Sequence, residues 1–161
     1  MSAVGSRPIA RGRSAEVFAD GDDRVVKLAF PGIDATEVAQ EIAASRLAYE
    51  LGITPVRCHG GIEMDGRHGI VFDRIDGIPL TAVAERNILR LPQVGSTLAA
   101  EHLFVHRART DRLPDVRELA VAQLDTPALS ALTPTERDAV ARRIRALPAG
   151  DAVLHLDFHP Q

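Results

Sequence analysis

The sequence is poor in cysteine, in lysine and in long apolar runs. Cys58 is the single cysteine, which excludes an intramolecular disulfide framework and a zinc cluster made of cysteine alone. No apolar run approaches about 18 residues, and residues 1–14 lack the apolar core of a signal peptide, so we expect a cytoplasmic protein without a membrane partner. Acids outnumber basic residues by 22 to 19, which argues against nucleic acid as a partner.

What remains is enough for a folded domain. The chain has 161 residues, of which 45% are apolar and 25% are charged, a composition typical of globular proteins. A chain of this length buries roughly two-thirds of the surface that its unfolded form exposes. We therefore expect a core that needs no disulfide or metal to hold it.

The scarcity of lysine draws attention to the one that is present. Of the 19 basic residues, 18 are arginine and one is Lys27. A GC-rich genome explains the excess of arginine but does not explain where the remaining lysine lies. Lys27 falls within residues 24–30, which have the pattern of a strand. A lysine on a mostly buried strand needs an anionic partner.

The pattern along the chain predicts strands first and helices later. The predicted strands are 7–12, 16–20, 24–30, 56–63 and 68–72, with a short buried strand at 152–156. The predicted helices are 34–51, 81–91, 94–109, 115–124 and 134–147. We expect an α+β fold with an N-lobe at 1–76, made of five antiparallel strands and one helix, and a partial, mainly helical C-lobe at 77–161.

Local signals support the ends of these elements. Asp34 with Glu37 and Thr133 with Glu136 have the form of capping boxes at the starts of two helices. Residues 64–67 carry the Asp-Gly signal of a hairpin turn between the last two strands of the sheet.

Two acids of the first helix compete to pair with Lys27. Glu37 already has a structural function in the capping box. Glu41 lies about 60° from Val38 on a helical wheel, at the margin of the buried face. We therefore expect Glu41 to be the partner.

Five features then follow one another along the chain. A glycine-containing strand-turn-strand spans 12–17, where backbone N–H groups could approach a phosphate. Lys27 and Glu41 come next, followed by a connector at 70–77 and by a His-x-Asp sequence within 155–161. In this order they resemble the aminoglycoside phosphotransferase and choline kinase group of the protein-kinase-like fold. The resemblance covers essentially the whole chain.

The resemblance implies a site that binds ATP or GTP. Gly12 and Ser14 would belong to the nucleotide loop. Lys27 would neutralise phosphate oxygens while Glu41 fixes its position.

It also implies contacts with the base of the nucleotide. Val17 and Val25 would pack on the faces of adenine, and Phe72 would border the back of that pocket. The carbonyl of Asp73 and the N–H of Ile75 would bond to the polar edge of adenine.

The implied reaction is phosphorylation of a small-molecule hydroxyl. Asp157 would orient this hydroxyl or accept its proton, and His155 would brace the loop. Mg²⁺ is expected for the family, but its usual ligands would follow Gln161. We therefore expect this chain alone to be a poor or inactive kinase that can self-associate through exposed apolar surface, or a non-catalytic, pseudokinase-like nucleotide-binding or interaction module. Leu156 stands where the family usually has glycine.

A metallohydrolase is the main rival. His155, Asp157 and His159 alternate, so on a strand they would share a face and could bind a metal ion. This hypothesis explains only the last seven residues of the chain. It leaves Lys27 and Glu41 unexplained.

Other features carry weaker signals. Residues 132–144 resemble the first helix of a helix-turn-helix, but no recognition helix follows. His102 and His106 have helical ligand spacing without a third ligand nearby in the sequence. Cys58 is interpreted as a buried small apolar residue.

Overall fold

The computed structural model describes residues 4–156. Within this range the chain forms two compact units, residues 4–101 and residues 102–156. Strands end at Asp73 and the next helix begins at Leu80, close to the predicted lobe boundary, which itself stays a prediction. No helix in the described range is long and apolar enough to cross a bilayer.

The first unit contains the predicted antiparallel sheet of five strands, which confirms the α+β fold class. The strands are β1 (Ala10–Arg11), β2 (Ala15–Asp20), β3 (Arg24–Ala29), β4 (Cys58–Met64) and β5 (Arg67–Asp73). Their order is β1-β2-β3-β5-β4 and every pairing is antiparallel. This order places β3, the strand of Lys27, at the centre.

Two strands begin later than predicted. β1 covers two residues instead of six, although the N–H of Ile9 still bonds to the carbonyl of Val17 at 2.8 Å. β4 begins at Cys58, because Val56 N–H donates to Thr54 Oγ1 at 3.2 Å and so belongs to a local turn.

The turn between β4 and β5 has the predicted hairpin form. Asp65 and Gly66 both have positive φ angles, 52° and 71°, as a type I′ turn requires. Asp and Gly tolerate this conformation better than most residues. The turn therefore fixes the register between β4 and β5, which it joins.

Helix α1 (Ala35–Glu50) crosses from β3 to β4. Its predicted N-cap is confirmed, because Asp34 Oδ1 accepts a hydrogen bond from the N–H of Thr36 at 2.6 Å. This backbone bond, together with a side-chain hydrogen bond from Thr36, lowers the pKa of Asp34. The capping box predicted between Asp34 and Glu37 is wrong, because the cap bond goes to Thr36 and Glu37 lines the site described below.

The sheet has an apolar cluster on each face. On the α1 face the buried residues are Ala29, Val38, Cys58 and Ile70, with Ile33, Ile42 and Phe72 packed against them. On the other face they are Phe18, Val26 and Leu28, with Val4, Ile62, Met64 and Val71 around them. The expected burial of Cys58 is confirmed.

The helices after the sheet start and stop differently from the prediction. They are α2 (Leu80–Arg86), a 3₁₀ turn at Ile88–Arg90, and α3 (Leu91–Arg107), which contains the division between the two units. Asn87 separates α2 from the turn because its backbone is extended and its side chain accepts from Leu89 N–H. The single helix predicted at 81–91 is therefore wrong.

The second unit contains α4 (Val116–Ala122) and α5 (Pro134–Arg145). The capping box of α5 is confirmed: Thr133 N–H donates to Glu136 Oε2 at 2.8 Å and Glu136 N–H donates to Thr133 Oγ1 at 3.3 Å. The Thr133 N–H and the Thr133 hydroxyl, which donates to Glu136 Oε2 at 2.7 Å, hold the pKa of Glu136 below its usual value. Arg145 on α5 also forms two 3.1 Å hydrogen bonds to Glu118 on α4.

The buried strand predicted at 152–156 is wrong. Ala152 forms only an isolated bridge with Arg109, and Val153 N–H bonds to the carbonyl of Ala108 at 3.0 Å. Leu156 leaves extended geometry altogether, with a φ of 65°. A segment that turns at this point cannot continue a ladder.

Candidate functional site

Lys27 lies in the middle of the central strand and is paired with Glu41. Cross-strand neighbours Val17 on β2 and Ile70 on β5 flank Lys27. Its ammonium donates to Glu41 Oε1, with an Nζ to Oε1 distance of 2.5 Å. The partner predicted from the helical wheel is therefore present, while the function of the pair stays a prediction.

The pair is held firmly but remains accessible. Strands on both sides fix the backbone of Lys27, and Val38 and Ile42 pack α1 onto the same face of the sheet. The two side chains are nevertheless 35% and 42% exposed, so the pair contributes roughly 0–1 kcal/mol to stability. The pair therefore holds the ammonium of Lys27 in a fixed position that solvent can reach, and it adds little to the stability of the fold.

Other predicted residues share the face of Lys27. Val25 pairs across the sheet with Phe72, and Val17 pairs with Lys27. Residues directly opposite in an antiparallel pair point to the same face, and so do residues two apart on one strand. Val17, Val25, Lys27 and Phe72 therefore form one partly buried surface.

A cleft of about 410 Å³ opens beside the ion pair. Its lining combines the apolar α1 face of the sheet with polar side chains: Ser14, Ala15, Lys27, Ala29, Ile33, Glu37, Val38, Gln40, Glu41, Ala44, His68, Gly69 and Ile70. Of the predicted nucleotide-binding residues, Ser14, Lys27 and Glu41 line this cleft. Gly12, Val17, Val25, Phe72, Asp73 and Ile75 do not.

Three polar residues of the cleft were not predicted. Glu37 lies three residues before Gln40 and four before Glu41, so the three are neighbours on the helix surface, and all of them line the cleft from α1. His68 lies two residues before Ile70 and therefore on the same face of β5. The helical and strand periodicities around Glu41 and Ile70 were the signals that could have identified them.

The loop at 12–15 closes on itself. Gly12 N–H donates to the carbonyl of Ala15 at 2.9 Å, and Phe30 N–H donates to that of Ser14 at 2.9 Å. A Cβ at Gly12 would lie 3.7 Å from the Ala15 oxygen, an ordinary contact. The backbone at position 12 therefore does not require glycine. Ser14 and Ala15 are the loop residues that line the cleft.

Asp73 joins the end of β5 to the start of β4 through its side chain. Asp73 Oδ2 accepts from Arg57 N–H at 2.9 Å, and Oδ1 lies 2.7 Å from His59 Nε2. The bond to His59, followed by that to Arg57, lowers the pKa of Asp73. Sequence reasoning missed both partners, because residues 14 and 16 positions apart carry no local signal. Ile75 is 62% exposed in the segment that follows.

The predicted catalytic loop is only partly within the described residues. His155 is exposed, and the next residue, Leu156, adopts a φ of 65°, the left-handed region that favours glycine. The family that the sequence resembles usually has glycine at this position. The backbone of Leu156 therefore adopts a conformation that glycine favours, although the residue itself differs from that of the family. Asp157 lies outside the described residues.

The rival metal site falls largely outside that range as well. Asp157 and His159 belong to the undescribed residues, so this set stays an untested hypothesis. Between residues 4 and 156, no group of three or more His, Cys, Asp or Glu side chains is arranged to hold a metal ion. His102 and His106 lie with ring centroids 4.2 Å apart on α3.

The architecture and the lysine-glutamate pair agree with the protein-kinase-like fold that the sequence resembles. The model of the phosphotransferase enzyme family matches residues 5–161. The chain therefore belongs to the phosphotransferase enzyme family, which confirms the family resemblance read from the sequence. No curated protein matches the chain.

Proposed function

We propose that this chain binds the phosphates of ATP or GTP at Lys27 and belongs to an enzyme that phosphorylates a small-molecule hydroxyl. The observation that carries this proposal is the Lys27–Glu41 pair, 2.5 Å between Nζ and Oε1, on the central strand beside an open cleft. Family membership supports phosphoryl transfer as the general chemistry.

The chemistry of the pair suits a phosphate ligand. An ammonium is a compact charge that neutralises phosphate oxygens, and a neighbouring carboxylate fixes where that charge lies. Because both side chains are partly exposed, phosphate oxygens can reach Lys27 without first breaking a buried ion pair. Ser14 brings a hydroxyl donor to the same cleft.

The apolar surface beside Lys27 supports a position for the nucleotide base. Val17, Val25 and Phe72 share its face of the sheet, and side chains of this type pack on planar rings. We propose that adenine or guanine lies against this surface, with the backbone of Asp73 and Ile75 at its polar edge.

The transfer step is assigned by family resemblance. Asp157 would orient the substrate hydroxyl or accept its proton, braced by His155. Mg²⁺ would neutralise charge on the phosphates when bound. Because the described range holds no cluster of metal-ligating side chains, we assign no residue within 4–156 to Mg²⁺.

The proposal is tested first by binding. Calorimetry with non-hydrolysable ATP and GTP analogues should show that Lys27→Ala weakens binding about tenfold or more, since a charge-assisted hydrogen bond contributes roughly 1.5–3 kcal/mol. Arg143→Ala, which removes one positive charge from exposed α5, is the matched control and should bind as the wild type does. Equal affinity in the wild type and Lys27→Ala would contradict the proposal.

Turnover separates a kinase from a non-catalytic nucleotide-binding module. ADP release is measured with a panel of amino sugars and amino alcohols, comparing the wild type with Asp157→Asn. Turnover that disappears in Asp157→Asn supports phosphoryl transfer. Nucleotide binding without turnover in the wild type would favour the non-catalytic module.

A further inference from the structure

A second cleft lies on the first unit, between the C-terminal half of α1 and the start of β4. It has a volume of about 380 Å³ and is lined by Arg46, Tyr49, Glu50, Arg57, Cys58 and His59. None of these residues lines the cleft beside Lys27. The proposed nucleotide site therefore leaves this cleft unexplained.

Its two guanidinium groups are available to a ligand. Within residues 4–156, neither Arg46 nor Arg57 has a side-chain hydrogen bond or an ion pair. The hydroxyl of Tyr49, whose side chain is 45% exposed, has no hydrogen-bond partner in that range either. Other guanidinium groups of the chain form ion pairs with carboxylates, such as Arg67 with Glu16 and Arg145 with Glu118.

A backbone irregularity gives Arg46 its position. The β4–β5 register shifts between Cys58 and Gly60, a β-bulge, and Gly60 has a φ of 126°. A Cβ at Gly60 would lie 3.1 Å from Arg46 Nη2, closer than ordinary contact. The bulge and the missing side chain thus make room for the guanidinium.

Two acids, Asp73 and Glu50, lie near the two guanidinium groups of this cleft. Asp73 contributes long-range attraction to Arg57, but its oxygens already accept from Arg57 N–H and His59. Glu50 is the acid that lines the cleft itself, and its carboxylate repels an anionic ligand there.

We propose that this cleft binds the phosphate group of a small phosphate monoester or inorganic phosphate, through Arg46 and Arg57 with Tyr49 as a third donor. The guanidinium fork matches the geometry of phosphate oxygens and can bond to two of them at once. The cleft is larger than a phosphate group, and Tyr49 and Cys58 supply apolar surface beside the cations. This lining suits a small organic substituent on the phosphate.

The test uses the full chain carrying Lys27→Ala, so that the proposed nucleotide site does not contribute. Calorimetry with inorganic phosphate and with phenyl phosphate should show that Arg46→Gln and Arg57→Gln each weaken binding about tenfold, the effect of losing one charge-assisted hydrogen bond. Glu50→Gln should tighten binding several-fold, a gain that misfolding cannot produce. Arg143→Gln is the matched control and should leave binding unchanged.

The outcomes separate the ligands and the sites. Tighter binding of phenyl phosphate than of inorganic phosphate assigns the cleft to a monoester, and equal binding assigns it to free phosphate. Phosphate affinity that is the same in Arg46→Gln, Arg57→Gln and Glu50→Gln as in their Lys27→Ala parent would overturn the proposal. Phosphate binding that is lost with Lys27→Ala alone would also overturn it, while supporting the separate assignment of Lys27.

Discussion

Each of the two units is stabilised in a different way. Residues 4–101 contain a sheet with an apolar cluster on each face, where Val26, Leu28 and Ile70 are at most 2% exposed. In the described part of the second unit, the buried apolar side chains are Val105, Leu124 and Val153, and exposed ion pairs such as Glu118–Arg145 connect its helices. Burial therefore fixes the strands that carry the proposed nucleotide site, whereas the helical unit has fewer buried apolar side chains and exposed pairs that contribute little energy.

The largest expected effect comes from the core of the sheet. Leu28→Ala should lower the free energy of unfolding by about 2–5 kcal/mol, because it removes buried methyl groups and leaves a cavity. Leu119→Ala on α4, whose side chain is 42% exposed, should change it by about 0.5–1 kcal/mol. Urea denaturation of both variants measures the difference. Equal losses of unfolding free energy in the two variants would contradict the difference described between the two units.

A smaller effect, of opposite sign, is expected at Leu156. A non-glycine residue in the left-handed region is strained by roughly 1–2 kcal/mol, and Leu156 has a φ of 65° and is 66% exposed. Leu156→Gly should therefore stabilise the second unit by about 0.5–1 kcal/mol, after the entropy that glycine adds to the unfolded chain. Thermal denaturation is the measurement. Leu156→Ala keeps the Cβ and should bring no gain, so stabilisation by alanine would argue against strain as the cause.

The smallest effect concerns the acid stability of the second unit. Hydrogen bonds from Arg117 lower the pKa of Asp115 to about 2. A carboxyl with a lowered folded-state pKa stabilises the fold above its unfolded value, about 3.9, and this contribution is lost as the pH falls toward 2. Asp115→Asn keeps an N-cap acceptor but removes the charge. Its urea midpoint should fall less than that of the wild type between about pH 4 and pH 2, and parallel pH profiles would contradict this account.

Local patterns predicted most of the fold. The strand pattern of residues 24–30, the Asp-Gly turn and the N-cap residues are signals within a few residues, and the corresponding β3, hairpin and helix starts are present. The helical wheel also identified Glu41, because its angle to Val38 depends only on spacing. The strand predicted at 152–156 failed because a short apolar run does not form a strand without a partner to complete the ladder.

Contacts between distant residues could not be predicted. Arg67 donates to the carbonyl of Ala29 at 2.8 Å and to Glu16 Oε2 at 3.0 Å, across separations of 38 and 51 residues. The His59–Asp73 bond likewise joins residues that are distant in the sequence, 14 positions apart. Such partners are chosen by strand order and register, which become known only when the sheet is assembled.

The central claim is that Lys27 acts on nucleotide phosphates and that Glu41 acts through Lys27. A double-mutant cycle measures this directly, with calorimetry of an ATP analogue on wild type, Lys27→Ala, Glu41→Gln and the double variant. We predict that Glu41→Gln weakens binding in the wild type but changes nothing further once Lys27 is alanine. Equal losses from Glu41→Gln in both backgrounds would contradict the claim, because Glu41 would then act independently of Lys27.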